Sequence, residues 1–211
     1  MWVSRLMLNP RNKQVQELLA DAYARHVFVM NAWKREEPRV LFRVEDYRNE
    51  EMPQTQGLTL LVQSQTQPDW RWLQKPDWRG VLVSGAEIAI KEVALPLAFQ
   101  EWQYLYFKLR ANPTVARDGK HFGIVRHEEQ LEWLRRQGEK AGFTVVEAVA
   151  RNEGLVQGYN PDSQHVLKFT AVTFEGAIQV TNPEKINQAL ASGIGRGKGF
   201  GFGMLSVRRY S

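Results

Sequence analysis

The 211-residue sequence contains no cysteine. That absence excludes disulfides, thiolate metal sites and cysteine nucleophiles together. Histidine is scarce as well: His26, His121, His127 and His165 are scattered, and none stands in an HExxH-type arrangement. No zinc site and no cofactor is expected, although Mg²⁺ held by carboxylates stays open as an alternative, the carboxylates being plentiful but unpaired in sequence. Apolar runs are only a handful of residues long, so no segment is expected to span a membrane. The opening Met1-Trp2-Val3-Ser4-Arg5 lacks the charge-then-apolar order of a signal peptide, and a cytoplasmic location is expected. Acidic residues are missing from positions 193–211, which contain Arg196, Lys198, Arg208 and Arg209. With a net charge of +5 and a pI near 9.5, this basic end suggests a polyanionic partner, nucleic acid first. A merely solubilising surface is the alternative.

Hydrophobic residues make up 43% of the chain and aromatics 11%, enough for a proper core in one large domain or two small ones. The chain is organised around Gly193-Ile194-Gly195-Arg196-Gly197-Lys198-Gly199-Phe200-Gly201-Phe202-Gly203, where six glycines alternate with other residues. Glycine admits positive φ and removes the Cβ that would keep a neighbour away. Such a run can lay amide N–H groups of Gly195, Gly197 and Gly199 against a phosphate backbone, with Arg196 and Lys198 adding charge. It is not a P-loop, because Gly199 follows Lys198 where serine or threonine is needed, and it is a poor dinucleotide fingerprint. A flexible glycine loop is the plainer alternative.

Taken in order, Trp2–Leu8 reads as a strand ended by Asn9-Pro10. Val15, Leu18/Leu19, Ala22/Tyr23, His26, Val29/Met30 and Trp33 recur every three or four residues, predicting one amphipathic helix from about 11 to 34. Strands over 40–44 and 57–65, a Trp-rich connection and a strand over 86–95 complete the first half. The second half reads as a strand over 101–111, a polar, basic loop over 114–121 and a helix over 128–141 capped by Gly142. A strand over 143–150 and an irregular hairpin tip over 154–163 follow. Strands over 166–174 and 177–180 come next, turning at Glu175-Gly176, then a short helix over 183–191 and a last strand over 204–209. The fold class is therefore α+β: two tandem ferredoxin-like (RRM-like) βαββαβ domains, each with an antiparallel sheet backed by two helices. The expected boundaries are 1–95 and 96–211.

Tyr23 and His26 stand three apart on the first predicted helix, so one face presents both. Histidine is the usual general acid or base, and tyrosine can orient a hydroxyl or a phosphate oxygen. The competing assignment is a packed apolar stripe of Leu19, Tyr23, His26, Met30 and Trp33. Arg25, Lys34 and Arg35 on or beyond the same helix could meet phosphates, as could Lys120 and His121 in the basic loop and Arg151 before the hairpin tip; for each, a solvated surface cation is the alternative. The aromatics show no RNP-type pattern on a strand, so base stacking on an open sheet has no motif behind it. Asp69 and Asp77, beside tryptophans, read as turn residues.

Several stretches together resemble the CasE-type CRISPR RNA endoribonucleases, the repeat-processing subunits of type I-E Cascade, within the wider repeat-associated superfamily with glycine-rich loops. They are Trp2–Pro10 with its Leu-Asn-Pro ending, Asp21-Ala22-Tyr23-Ala24-Arg25-His26, Thr66-Gln67-Pro68-Asp69-Trp70 and Leu109-Arg110-Ala111-Asn112-Pro113-Thr114 with Gly119-Lys120. The Trp133-Leu134 helix leading to Gly142-Phe143 and the Gly193–Gly201 run complete the set. The resemblance implies an enzyme that binds a CRISPR repeat stem-loop and cuts pre-crRNA at the 3′ base of the stem, without metal. It implies 2′-OH attack, a 5′-OH and a 2′,3′-cyclic phosphate or 3′-phosphate as products, and mature crRNA and other Cascade subunits as partners. The family's helix histidine matches His26, as acid or as base, and its active-site tyrosine matches Tyr23. A nearby cation, Lys34 or Arg25, would stabilise the transition state. Glu36-Glu37 departs from a basic rim after the helix. A non-catalytic RNA-binding subunit and a small-molecule enzyme with a nucleotide loop are the competing functions.

Overall fold

Inward Ser4, Leu6 and Leu8 alternate with outward Arg5, and this period of two makes Trp2–Leu8 a strand, β1. The computed structural model describes residues 1–33, 39–47 and 57–210. β1 pairs antiparallel on one side with Gly57–Ser64 (β3) and on the other with Ala89–Glu92 (β4). Val40–Tyr47 (β2) lies outside β3, giving the order β2-β3-β1-β4, which is the ferredoxin-like arrangement. The register sets Leu6 opposite Leu60 and Phe42 opposite Val62, and all four are buried.

The single helix expected over 11–34 is two, Lys13–Ala20 (α1) and Ala22–Met30 (α2). Asp21 between them is extended, with φ −123° and ψ 119°, and its Oδ1 accepts from the Ala24 N–H at 2.8 Å. A carboxylate that satisfies an orphan amide favours a helix start over a helix interior, which is why the chain breaks here. Asn12 caps α1 in the same way, accepting from Gln14 and Val15. The second backing helix expected in the first half is absent among the described residues. Two 3-10 turns, Trp70–Gln74 and Pro76–Trp78, occupy that connection instead. Phe28 of α2 meets the edges of Trp72 and Trp78 at 5.0 and 5.4 Å, and Trp70 Nε1 donates to Ser4 Oγ at 3.0 Å. Aromatic area does here the covering that a helix would do. The strand expected over 86–95 shrinks to β4.

In the second sheet Tyr104–Ala111 (β5) buries Leu105, Phe107, Leu109 and Ala111 and turns the alternate residues outward. The basic loop expected over 114–121 is a hairpin of Thr114–Arg117 (β6) and Lys120–Gly123 (β7). Asp118 and Gly119 turn it with φ of 50° and 72°, the paired positive values of a two-residue hairpin turn. His127–Ala141 (α3) ends at left-handed Gly142. Phe143–Asn160 (β8) and His165–Val180 (β9) run far longer than expected. The tip expected over 154–163 is largely strand, and Glu175-Gly176 is no turn, since both pair with β5 opposite Lys108 and Phe107. Pro183–Ser192 (α4) and Leu205–Arg209 (β10) follow, and the order β10-β5-β9-β8 is again ferredoxin-like. Phe143, Phe174, Leu109, Leu134 and Ile178 fill the core beneath α3 and α4.

The chain packs as two units. The first comprises Met1–Val93, Gln157–Leu167 and Gly199–Gly201, and the second comprises the rest. Among the described residues no helix is long and apolar enough to cross a membrane. Asp21→Ala removes the cap that separates α1 from α2. A loss of about 1 kcal/mol follows, lowering the Tm by roughly 2–4 °C in thermal unfolding. An unchanged Tm would show that the break is held by something other than this carboxylate.

Candidate active site

α2 presents half-buried Tyr23 and His26 on one face. His26 Nδ1 lies 2.9 Å from the Gly199 carbonyl oxygen, within the first unit. A carbonyl only accepts, so the proton of this contact belongs to Nδ1, and Nε2 is the nitrogen left for chemistry. Neutral, Nε2 can take a proton; in the imidazolium it can give one. The Phe200 ring stands 5.3 Å from the imidazole and the Tyr23 ring 6.2 Å away, both tilted about 40° to it. One hydrogen bond and two aromatic neighbours thus fix the ring's direction.

The start of α2 is pinned from outside the helix. Asp21 uses its second carboxylate oxygen, Oδ2, to accept from the Tyr159 N–H at 3.0 Å. Gly158 sits so close that a Cβ there would lie 2.6 Å from the Tyr23 nitrogen, nearer than any side chain allows. The turn-proximal part of the β8–β9 hairpin therefore rests on the first turn of the helix that carries Tyr23. Arg25 is buried, and its Nη1 donates to the carbonyls of Leu18, at 3.1 Å, and Leu19. It ties α2 to the end of α1 and serves carbonyls that helix termination leaves over. Its guanidinium acts inside the fold.

The other candidates divide. Lys34 lies outside the described residues, as do Arg35, Glu36 and Glu37. Gly199 joins His26 through its carbonyl. Arg196 is exposed, with Nη1 3.2 Å from His121 Nε2; since the guanidinium only donates, Nε2 is the acceptor and His121 is neutral in this contact. Lys120 is exposed beside the Asp118-Gly119 turn, and Arg151 is exposed on β8. Gly195 faces the Trp133 ring and Gly197 faces Phe169 and Phe202. Lys198 opens a 3-10 turn over Lys198–Phe200. The glycine run is a pinned structure rather than a loose tether: Ile194 N–H donates to Gly203 O at 2.9 Å, and Gly203 N–H to Arg110 O at 2.7 Å. Among the described residues no three His, Asp or Glu side chains are grouped to hold a metal ion. Asp21, Gly158 and Phe200 join the site without a functional assignment from sequence. Asp21 is recognisable as a capping residue within the helical pattern, whereas the other two act through contacts distant in sequence.

A family model described as CRISPR associated protein matches residues 1–209. The CRISPR-associated endoribonuclease Cse3 of Thermus thermophilus is 32% identical over 223 residues, covering 98% of this chain and 99% of its own. The CRISPR system Cascade subunit CasE of Escherichia coli is 27% identical over 117 residues, covering 49% of this chain and 57% of its own. The structure of Thermus thermophilus Cse3 bound to an RNA representing a pre-cleavage complex superposes with a TM-score of 0.76 at 30% identity, covering 98% of each chain. The match therefore runs from end to end in sequence and in fold, and the chain belongs to the CRISPR-associated protein family as a CasE-type member.

Proposed function

We propose that the chain is the endoribonuclease that processes CRISPR transcripts: it binds the repeat stem-loop, cuts pre-crRNA at the 3′ base of the stem to give mature crRNA, and has that crRNA and the other Cascade subunits as partners. The carrying observation is the His26 imidazole, fixed through Nδ1 by the Gly199 carbonyl, so that Nε2 stays available beside Tyr23. The relatives' names support the same reading: Thermus thermophilus Cse3 is named an endoribonuclease and is seen with RNA in a pre-cleavage complex, and Escherichia coli CasE is named a Cascade subunit.

In the proposed reaction the ribose 2′-oxygen attacks the adjacent phosphorus, the new O–P bond forms and the bond to the 5′-oxygen breaks. The 2′-hydroxyl proton leaves to a base, and the departing 5′-oxygen gains a proton. The products are a 5′-OH and a 2′,3′-cyclic phosphate, which opens to a 3′-phosphate on hydrolysis. His26 Nε2 carries out one of the two proton transfers, and no step requires a metal ion. Tyr23 orients the 2′-hydroxyl or the phosphate. Arg196 and Lys198, with the Gly195, Gly197 and Gly199 backbone, meet RNA phosphates, and Lys120 and Arg151 extend the basic surface. Arg25 contributes by holding α2 in place.

Incubation in EDTA with a labelled repeat stem-loop should give cleavage, and a copy with 2′-deoxyribose at the cut should stay intact. Tight binding without cleavage of either RNA would favour a non-catalytic subunit. His26→Ala should lower the cleavage rate by about 10²–10⁴-fold while leaving RNA affinity in place. Unchanged cleavage would remove His26 from the mechanism. Arg196→Ala should flatten the log–log salt dependence of binding by roughly 0.7–0.9, the share of one phosphate contact. An unaltered slope would remove Arg196 from the phosphate-contacting surface.

A further inference from the structure

The cleavage chemistry leaves one face of the second unit unused. Tyr104, Tyr106 and Lys108 project from β5 on the side opposite its core residues. The β5–β10 register places Arg208 across from Tyr106, with the guanidinium carbon 4.2 Å from the ring centroid. Tyr210 stacks on Tyr106 with centroids 4.4 Å apart and planes 20° from parallel, and Tyr104 lies 6.1 Å from Tyr210. Tyr104 is 48% and Tyr210 50% exposed, so the outer rings of this cluster keep large surfaces in water. Core packing does not account for them, because Leu105, Phe107 and Leu109 already fill the opposite side.

The charges favour a polyanion that brings flat rings. Both charged residues after Gly203 are cations, Arg208 and Arg209, and both are exposed. The carboxylates near this face are Glu175, paired with Lys108 at 2.7 Å, and Glu147, which acts on Tyr210 electrostatically, while Arg208 and Arg209 carry the positive charge of the β10 edge. The Tyr210 hydroxyl is held above the ordinary tyrosine value, first by its hydrogen bond with Tyr106, and stays neutral. Aromatic rings beside a basic edge bind single strands with little sequence preference, since every base has a face to stack.

We propose that this sheet face binds a single-stranded stretch of RNA, with bases stacking on Tyr104 and Tyr210 and phosphates meeting Arg208 and Arg209. The inference rests on the RNA-processing reading only for the identity of the ligand as RNA, and it adds a site for unpaired nucleotides to one for a stem. The test uses full-length protein and two probes in parallel: a labelled oligouridylate of about ten nucleotides, read by fluorescence anisotropy, and the repeat stem-loop, read by cleavage. Tyr104→Ala/Tyr210→Ala should weaken oligouridylate binding by about tenfold or more while stem-loop cleavage proceeds at the wild-type rate. Tyr104→Phe/Tyr210→Phe, which keeps the rings and loses the hydroxyls, should bind normally. Arg208→Ala, an exposed single change, should weaken binding and flatten its salt dependence even if the double variant folds poorly. Oligouridylate that fails to bind wild-type protein, or binds all variants equally, would overturn the proposal. So would a double variant that keeps both RNA activities and loses only a Cascade subunit, which would make the face a protein contact. Failure of the stem-loop arm alone would count against the cleavage reading and leave the oligouridylate result standing.

Discussion

The hydrogen bond between His26 Nδ1 and the Gly199 carbonyl joins residues 173 positions apart, and the candidate chemistry depends on it. A backbone carbonyl cannot rotate independently of its peptide plane. Its direction is therefore as fixed as the turn that contains it, here the 3-10 turn Lys198–Phe200. A ring held this way keeps one tautomer and presents one nitrogen, which a surface histidine free to turn would not do. Phe200, in the same turn, narrows the ring's movement further. The glycine run thus contributes an orienting acceptor, in addition to the phosphate contacts proposed for its backbone.

A fixed acceptor is useful only if the donor's helix is equally fixed, and two charged side chains see to that. Asp21 accepts from both the Ala24 and the Tyr159 amides, so one carboxylate starts α2 and anchors the hairpin upon it. Arg25 reaches the carbonyls of Leu18 and Leu19, placing a cation at the C-terminal end of α1, where the helix dipole favours it. Both act where helix termination leaves backbone groups without partners, and together they hold a nine-residue helix that on its own would be too short to persist.

Much of this is legible in the sequence, for identifiable reasons. β1, β5 and α3 carry clean periods and clear stops, and the element order is enough to give both ferredoxin-like sheets. Tyr23 and His26 stand out because residues three apart share a helix face whether or not the helix is broken upstream. The break itself barely shifts the apolar phase, because only one residue is extended, and its one sequence signal is the capping aspartate Asp21. The β6–β7 hairpin is hidden because its strands are only four residues long and mostly exposed, leaving Asp118-Gly119 as the clearest signal. The length of β8 and β9 is hidden for a similar reason: their outer parts alternate poorly, and Glu175-Gly176 imitates a turn. Arg25 looks like any surface cation, since burial of a charge depends on which carbonyls are in reach. The Gly199 carbonyl carries no side-chain signal at all.

The tyrosines of β5 belong to a cluster that no local motif announces. No RNP pattern exists in the sequence, and none is needed to bring Tyr104 and Tyr106 to the same side. Alternation over Tyr104–Ala111 does it, and the antiparallel register then adds Arg208 from β10. A two-layer fold covers one face of its sheet with helices and leaves the other to find its own partners. On that second face apolar bulk is normally avoided, so exposed rings that stack on one another beside cations mark a surface shaped by contact with a ligand rather than by folding. The same physical alternation that builds the core beneath α3 and α4 therefore also sets out the opposite surface, and a second RNA-binding site needs no sequence signature beyond it.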